Sequence, residues 1–355
     1  MGSIFVAILL LPCGVLSLHG GAWELVTRHA AFHERDSAQS WVHDGKLWFG
    51  GGWFNSFGEP PRDVWSADVT GRNWTRATTK AAWDHADFAA TATLNGRMLH
   101  IGGWRGGRLA NATASARVFA STDGAQWDLL ADPAPFPSRE GAVALTFGGR
   151  VWLLGGATQY YFAANATGAQ LLSDVWSSAD GATWSCATTA AGWAPRAYHA
   201  AVAFGGRMFV LGGGNYQSGG GTGTGEPLVG YRAYNDVWAS ADGKRWEKVV
   251  ASAPWTPRIW FGAAVYRGCM WVLGGWAAPN GYNASRGVNY NANDVWTSAD
   301  GKSWERSDDP AWNGRHAPSV QVLDDRIWLM AGNNWGNYSH GIHGTVNEVW
   351  SLQLP

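Results

Sequence analysis

Cysteine, charge and long hydrophobic runs are all scarce in this chain of 355 residues. Only 3 residues are cysteine, too few for a disulfide framework, so Cys186 and Cys269 are expected to be buried free thiols. Charged residues make up 15% of the chain, and the net charge is −1 at pH 7. Because no basic patch is visible, a nucleic acid is not an expected partner.

The main apolar run lies at the start of the chain, over residues 4–18. Pro12 and Gly14 interrupt it, and it is short for a membrane-spanning helix. Small residues follow it, which predicts a secretory signal peptide over residues 1–20, although no Lys or Arg precedes the run. No membrane span is expected. Five glycosylation sequons agree with secretion to the extracellular space or the secretory lumen, and they lie at Asn73, Asn111, Asn165, Asn283 and Asn337.

Tryptophan and glycine, by contrast, are abundant, with 25 and 48 copies. A short apolar run that ends in paired glycines recurs six times, with a period of about 50 to 60 residues. The first glycines of these pairs are Gly50, Gly102, Gly155, Gly212 and Gly274, and Ala331 takes that place in the last copy. Such a period predicts the blades of a β-propeller, so residues 21–355 are expected to form one all-β domain.

Each repeat offers four short strands, named A to D in chain order. In the fifth repeat they are predicted at 261–266, 269–274, 294–298 and from Trp304. A D strand at Trp23 precedes the first A strand, and none follows Trp350. We therefore expect the N-terminal strand to lie outside Val349 and Trp350, which would close the ring.

The C and D strands carry the motifs with the clearest family resemblance. C strands begin with DVW at Asp63, Asp174, Asp236 and Asp294, and with EVW at Glu348. Turns of the form Ser-x-Asp-Gly-x-x-Trp lead into D strands. These residues resemble kelch-type six-bladed propellers, in particular the galactose-oxidase central-domain-like branch. The resemblance spans residues 22–355 and implies the fold, but the family is functionally mixed. The turns also resemble the Asp-box of sialidases, which is a structural hairpin.

The copper site of galactose oxidase does not map onto this sequence. It needs a Cys crosslinked to a Tyr, whereas Cys186 and Cys269 fall in strands. His340 and His343 lack an evident third ligand, so no metal and no other cofactor is expected.

Strand order places the D–A links and the B–C loops on one face, which we call the loop face. Five D–A links carry an aromatic residue followed three positions later by arginine; the second has Ala86 instead. Each arginine either bonds main-chain carbonyls in its own repeat or helps to form a mouth that grips a carboxylate. These arginines are Arg35, Arg139, Arg196, Arg258 and Arg315.

The position after each arginine varies between repeats, so it indicates a binding site more clearly than the repeated arginines do. Three successive repeats place carboxylates there, and the next three do not: the residues are Asp36, Asp87, Glu140, Ala197, Ile259 and His316. Tyr198 and Trp260 follow directly. Acids on one arc, with Arg, Tyr and Trp on the other, suit a polyhydroxylated or acidic sugar, unless each acid only pairs with a neighbouring arginine.

The B–C loops add aromatic residues that either bind a ligand or cover the blades, namely Trp53, Trp104, Tyr160, Tyr161, Tyr216, Trp276 and Trp335.

Three functions fit these patterns. The first is a secreted, monomeric binding module for a glycan or an extracellular protein, with no enzymatic activity. The second is an enzyme resembling sialate mutarotases or sialidases, with Asp36, Asp87 or Glu140 as acid/base and arginines holding the sugar. The third is a structural disc in an extracellular matrix or wall.

Overall fold

The computed structural model describes residues 22–54, 59–106, 111–159, 170–215, 232–278, 290–307, 309–334 and 344–355. These residues form strands, turns and loops, and no helix occurs among them. The described part of the chain accordingly contains no helix that could span a membrane.

Twenty-nine short strands are formed, rich in Val, Leu, Trp and Ala that alternate across the sheet surface. In chain order they are β1 (Trp23–Thr27), β2 (Gln39–His43), β3 (Lys46–Gly50), β4 (Val64–Ala67), β5 (Trp74–Thr78), β6 (Ala90–Leu94), β7 (Arg97–Ile101), β8 (Trp104–Arg105), β9 (Thr113–Ala114), β10 (Val118–Ser121), β11 (Asp128–Ala131), β12 (Val143–Phe147), β13 (Arg150–Ala157), β14 (Leu171–Ser178), β15 (Trp184–Thr188), β16 (Ala200–Phe204), β17 (Arg207–Asn215), β18 (Arg232–Ser240), β19 (Glu247–Val250), β20 (Arg258–Ile259), β21 (Gly262–Tyr266), β22 (Cys269–Leu273), β23 (Trp276–Ala277), β24 (Tyr290–Asn291), β25 (Val295–Ser298), β26 (Glu305–Arg306), β27 (Ser319–Leu323), β28 (Arg326–Met330) and β29 (Val349–Leu352).

The strands assemble into small antiparallel sheets in a propeller arrangement. Five sheets are separate four-stranded blades, with the orders β2-β3-β4-β5, β6-β7-β10-β11, β12-β13-β14-β15, β21-β22-β25-β26 and β27-β28-β29-β1. The fourth repeat lies in a seven-stranded sheet, where β16-β17-β18 continues to β20-β23-β24 and β19 pairs with β18. The described chain thus has five separate blades where the sequence predicted six.

The predicted strands of the fifth repeat lie within one residue of β21, β22, β25 and β26. The N-terminal strand β1 pairs with β29, so that Trp23 lies opposite Leu352 and Leu25 opposite Trp350. The innermost strands also contact one another in the order β2, β6, β12, β16, β21, β27 and back to β2. They surround an axial cavity of about 370 Å³.

A T-shaped aromatic pair forms the centre of each repeat. The aromatic residue of a D–A link meets the tryptophan of a D strand at centroid distances of 5.0–6.3 Å and interplanar angles of 81–89°. Such edge-to-face geometry adds to the free energy of burial. The pairs are Phe32 with Trp74, Trp83 with Trp127, Phe136 with Trp184, Trp193 with Trp246, Trp255 with Trp304, and Trp312 with Trp23.

The Ser-x-Asp-Gly turns serve as structural hairpins. In the turn before β26, Ser298 Oγ accepts a hydrogen bond from the Gly301 N–H at 2.8 Å, and the Trp304 indole donates to the Gly301 carbonyl at 3.0 Å. The turn glycines have positive φ and lie against a large side chain of the preceding repeat. A Cβ at Gly243 would approach Trp152 to 2.0 Å. Glycine is therefore required for the turn and for contact between repeats.

Candidate functional site

The five repeated arginines are buried, with 0–1% of each side chain exposed. Arg258 is typical: it donates to both carboxylate oxygens of Asp294 at 2.6 and 2.8 Å, and to the carbonyls of Gly274 and Thr256. Four arginines hold the aspartate of their own repeat in this two-pronged way, and Arg315 binds Glu348. The pairs are Arg35 with Asp63, Arg139 with Asp174, Arg196 with Asp236, Arg258 with Asp294, and Arg315 with Glu348.

This geometry differs from the arginine-rich mouth that the sequence allowed. Each guanidinium connects the D–A link of its repeat to the start of the C strand and is buried there. Burial alone would raise the pKa of Asp294, but the hydrogen bonds and charge of Arg258 outweigh it and lower that pKa. The arginines therefore act inside the fold.

The three successive carboxyls, Asp36, Asp87 and Glu140, are buried to 5%, 2% and 0% exposure rather than standing on an open rim. Asp36 forms a bridge with Trp53, Asp87 with Trp104 and Glu140 with Ala157, so each belongs to a short ladder at the loop face. None of them pairs with one of the five arginines within the described residues.

Asp36 and Asp87 share one hydroxyl group. Ser37 Oγ lies 3.0 Å from Asp36 Oδ1 and 2.5 Å from Asp87 Oδ1, and Asn333 Nδ2 donates to Asp36 Oδ2 at 2.9 Å. A serine hydroxyl has a single hydrogen to donate, so the second contact needs a proton on a carboxyl. Burial raises the pKa of Asp36 to about 7, and burial together with the Asp36 charge raises the pKa of Asp87 well above its ordinary value.

Glu140 is the third carboxyl of this group. Tyr198 Oη donates to Glu140 Oε1 at 2.7 Å, while Oε2 has no hydrogen-bond partner among the described residues. Burial raises the pKa of Glu140 well above its ordinary value. In all three carboxyls, burial thus favours the protonated form over the charged one.

An axial collar is formed by one residue from each repeat. This residue lies two positions after the repeated arginine or, in the second repeat, two positions after Ala86. The members of the collar all have positive φ, between 49° and 59°, and five of the six are not glycine. Main-chain hydrogen bonds of 2.6–3.1 Å link five of the six neighbouring pairs around the axis. The collar consists of Ser37, Phe88, Gly141, Tyr198, Trp260 and Ala317.

Three collar side chains form an aromatic group at the axis. The ring centroids of Phe88, Tyr198 and Trp260 are 5.0–5.8 Å apart, and Trp260 also lies 5.2 Å from the ring of His316. The collar borders a cavity of about 150 Å³. His316 Nδ1 donates a hydrogen bond to Asn291 Oδ1 at 2.7 Å, and burial lowers the pKa of His316 to about 3, so its imidazole is neutral. Tyr198, Trp260 and His316 are thus brought together, beside the carboxyls.

Other expectations have mixed outcomes. Cys269 is disulfide-bonded rather than a free thiol, and Cys186 is free but exposed rather than buried. Cys269 is buried as expected, whereas the exposure of Cys186 was not predictable, because the pattern of short strands does not show which sheet edges are covered. Trp104 is buried, while Trp53 and Trp276 are half-buried.

Asn73 and Asn111 are both exposed. In the described chain no group of three His, Cys, Asp or Glu side chains could hold a metal. The predictions that lie outside the described residues concern the signal peptide, Tyr160, Tyr161, Asn165, Tyr216, Asn283, Trp335, Asn337, His340 and His343.

The site also contains residues that the sequence reasoning missed. Ser37, Phe88 and Asn333 contribute to it, although none was a candidate. Each of the three differs from the residues at the equivalent positions of the other repeats. Side chains that only support the fold are repeated, so this difference could have identified them as site residues.

The fold and this collar define an all-β propeller with an acid and aromatic group at its axis. No family model matches the chain, and no curated protein matches its sequence. The chain is similar to a solved structure described as "Structure of YjhT", with a TM-score of 0.68 and 15% sequence identity. The match covers 91% of this chain and 96% of that one. At this identity the likeness shows the fold alone.

Proposed function

We propose that this protein is a secreted kelch-type propeller that binds a carbohydrate at the axial collar on its loop face. The collar itself is the observation that carries this proposal. Bulky L-residues at positive φ cost about 1–2 kcal/mol each, and here three such residues are aromatic and meet at one cavity. Strain of this kind is kept where a site requires it.

The chemistry of the collar favours a neutral sugar over an acidic one. Aromatic faces of Phe88 and Trp260 can stack on sugar C–H groups, and the Tyr198 hydroxyl can exchange hydrogen bonds with sugar hydroxyls. The five arginines are committed to their own acids, so no guanidinium among them remains to grip a sugar carboxylate.

The six-bladed architecture is part of the same proposal. It is supported by the cyclic contacts of the six inner strands, by the pairing of β1 with β29, and by the collar with one member from each repeat. On this interpretation β16-β17-β18-β19 is the fourth blade, extended by three strands of the following loop region. Secretion is proposed from the leader-like segment and from sequons that include the exposed Asn73 and Asn111.

The test is calorimetric titration of the protein with neutral and acidic oligosaccharides, comparing wild type with Trp260→Ala and Phe88→Leu. The matched control is Tyr290→Ala, which removes an aromatic side chain that is 47% exposed and outside the collar. We expect both collar variants to lose binding and the control to keep it. Binding of acidic sugars alone, or binding that the collar variants retain, would contradict the proposal. Binding of an extracellular protein that Tyr290→Ala abolishes would favour a protein ligand instead.

A second candidate is a carbohydrate-active enzyme of the mutarotase or sialidase type. It is favoured by Glu140, whose buried carboxyl has a raised pKa, is hydrogen-bonded to a collar residue and could serve as a general acid. Glu140→Gln should then abolish anomer exchange or glycoside cleavage, each followed by NMR, without lowering the melting temperature. Unchanged turnover in that variant would dismiss Glu140 as the acid.

A further inference from the structure

The second repeat lacks the buried ion pair between arginine and a carboxylate that the other five repeats share. Ala86 stands where the others have arginine, and Arg117 stands where they have Asp or Glu. Arg117 extends instead to Asp84 and Asp132, at 3.6 and 3.1 Å. A position that breaks an otherwise strict local rule is where a functional site is expected.

Three polar residues form a connected chain at this place. Asp84 Oδ1 lies 2.6 Å from His85 Nδ1, and His85 Nε2 lies 3.1 Å from Thr113 Oγ1. The arrangement is a carboxylate, an imidazole and a hydroxyl, each within hydrogen-bond distance of the next. This is the connectivity of an orienting acid, a general base and a nucleophile.

We propose that Thr113, His85 and Asp84 form a second reactive site, separate from the collar, in which the Thr113 hydroxyl accepts the acyl group of a small carboxylic ester. His85 is 9% exposed, whereas Thr113 is exposed to solvent at β9, so a substrate can reach the hydroxyl while the base stays in place. Arg105 is the strand partner of Thr113 and brings a positive charge to the site.

The reaction balances with water as the only co-reactant. Thr113 Oγ1 attacks the ester carbonyl carbon, and its proton moves to His85 Nε2. The ester C–O bond breaks, and the leaving alcohol takes the proton from His85. Water then attacks the acyl-threonine ester, giving its proton to His85, which returns it to Thr113 as the carboxylic acid leaves.

The surrounding charges set the protonation states that this chemistry needs. Burial lowers the pKa of His85, against the opposing influence of Asp84, and Arg105 and Arg117 lower it further; His100 lies behind it, stacked on Trp83. The pKa of Asp84 is lowered: burial alone would raise it, but His85 and the two arginines outweigh that effect. A neutral imidazole beside an ionised carboxylate is the resting state of a general base.

The experiment measures p-nitrophenolate release from p-nitrophenyl acetate and, by intact-protein and peptide mass spectrometry, acetylation of Thr113. We expect Thr113→Ala to reduce release to background, Thr113→Ser to retain it, and His85→Gln to lower it about 10²-fold or more. Asp84 is a positioning residue, so Asp84→Asn should lower kcat with little change in KM.

Asn111→Gln is the matched control, because Thr113→Ala also removes the Asn111 sequon. Asn111→Gln removes the sequon and leaves the hydroxyl, and we expect it to keep wild-type release. The proposal is overturned if wild type releases no more than Thr113→Ala, if Asn111→Gln loses activity as Thr113→Ala does, or if the acetyl group is found only on other residues.

Discussion

Ser37 and Asp87 are joined by a hydrogen bond of 2.5 Å between the serine hydroxyl and carboxyl oxygen Oδ1, across two successive repeats. The same hydroxyl contacts Asp36, which Asn333 holds from the last repeat. A group of buried acids that must keep at least one proton therefore lies where three repeats of the chain meet. Its protonation is coupled to folding.

The contribution of Asp36 to the stability of the protein should fall as the pH rises from about 4 to 7, while three buried histidines (His100, His199 and His316), whose pKa values burial lowers to about 3, act in the opposite direction. The pKa of Asp36 is 3.8 in its ordinary state and about 7 in the fold, so between these values the folded protein holds a proton that the unfolded chain has released. For this one carboxyl the free energy of unfolding should decrease by about 1.4 kcal/mol per pH unit, and then level off above pH 7. Urea denaturation at intervals across this range measures the slope.

Asp36→Asn is the control for this slope, because it removes the titrating group and keeps an amide of similar shape. We expect the slope of its free energy of unfolding against pH to be more positive than that of wild type, by the equivalent of about one proton. Equal slopes for the variant and wild type would mean that Asp36 titrates alike in the folded and unfolded states.

Removal of a buried arginine should be far more damaging than removal of an exposed one. Arg258→Ala leaves Asp294, which is 14% exposed, without its counter-charge, and should cost about 3–5 kcal/mol. Arg258→Lys should not restore stability, because lysine lacks the planar fork that meets both carboxylate oxygens. Guanidinium denaturation gives the values. Arg306→Ala, at an exposed ion pair with Asp309, should change stability by about 1 kcal/mol or less; similar losses at both positions would refute the buried role.

Gly243 and Gly268 offer a comparison between turn strain and contact between repeats. Both have φ near +70°, but a Cβ at Gly243 would lie 2.0 Å from Trp152, whereas one at Gly268 would meet nothing within 4 Å. We expect Gly268→Ala to cost about 1–2 kcal/mol from the backbone alone, and Gly243→Ala to cost about 1–3 kcal/mol more from overpacking. Thermal unfolding of the two variants tests this, and equal costs would show that the turn glycine does not set the spacing of neighbouring repeats.

Cys186 should be the thiol that reacts in the native protein. It is free and exposed on β15, while Cys269 is buried. Partial desolvation and the nearby charge of Asp174 raise the pKa of the Cys186 thiol, which lowers the fraction of reactive thiolate. Its reaction with Ellman's reagent should therefore be slower than that of a small-molecule thiol at the same pH. Cys186→Ser should abolish the native signal. A signal that persists in this variant would place a second free thiol on the surface.

The sequence predicted the strands well because their signals are local. Paired glycines and apolar runs placed β21 and β22 within one residue, and the Ser-x-Asp-Gly turns fold as the hairpins expected of them. The seven-stranded sheet was not predictable in the same way. It depends on β18 pairing with β20, a contact between main chains that no side-chain pattern encodes.

The environment of the candidate residues could not be predicted from the sequence. Asp36, Asp87 and Glu140 were chosen because they break the repeat, and the structure brings Asp36 and Asp87 together at Ser37 and places Glu140 against Tyr198. Their burial depends on neighbouring repeats, so the sequence alone placed them on an open rim. The rule that a residue which breaks the repeat marks a site also applies to Ala86 and Arg117. It would have directed attention to the second repeat, where His85 and Thr113 lie.

The strand β20 carries a consequence for how the molecule comes apart. Arg258 pairs with β18 on one side and with β23 on the other, so the fourth and fifth repeats are joined by main-chain hydrogen bonds. Equivalent bonds join other neighbouring repeats, from the Arg139 N–H to the Ser115 carbonyl and from the Arg196 N–H to the Leu172 carbonyl. Amide hydrogens on both sides of such a seam should therefore exchange with solvent together, so that a blade does not open without disturbing its neighbour.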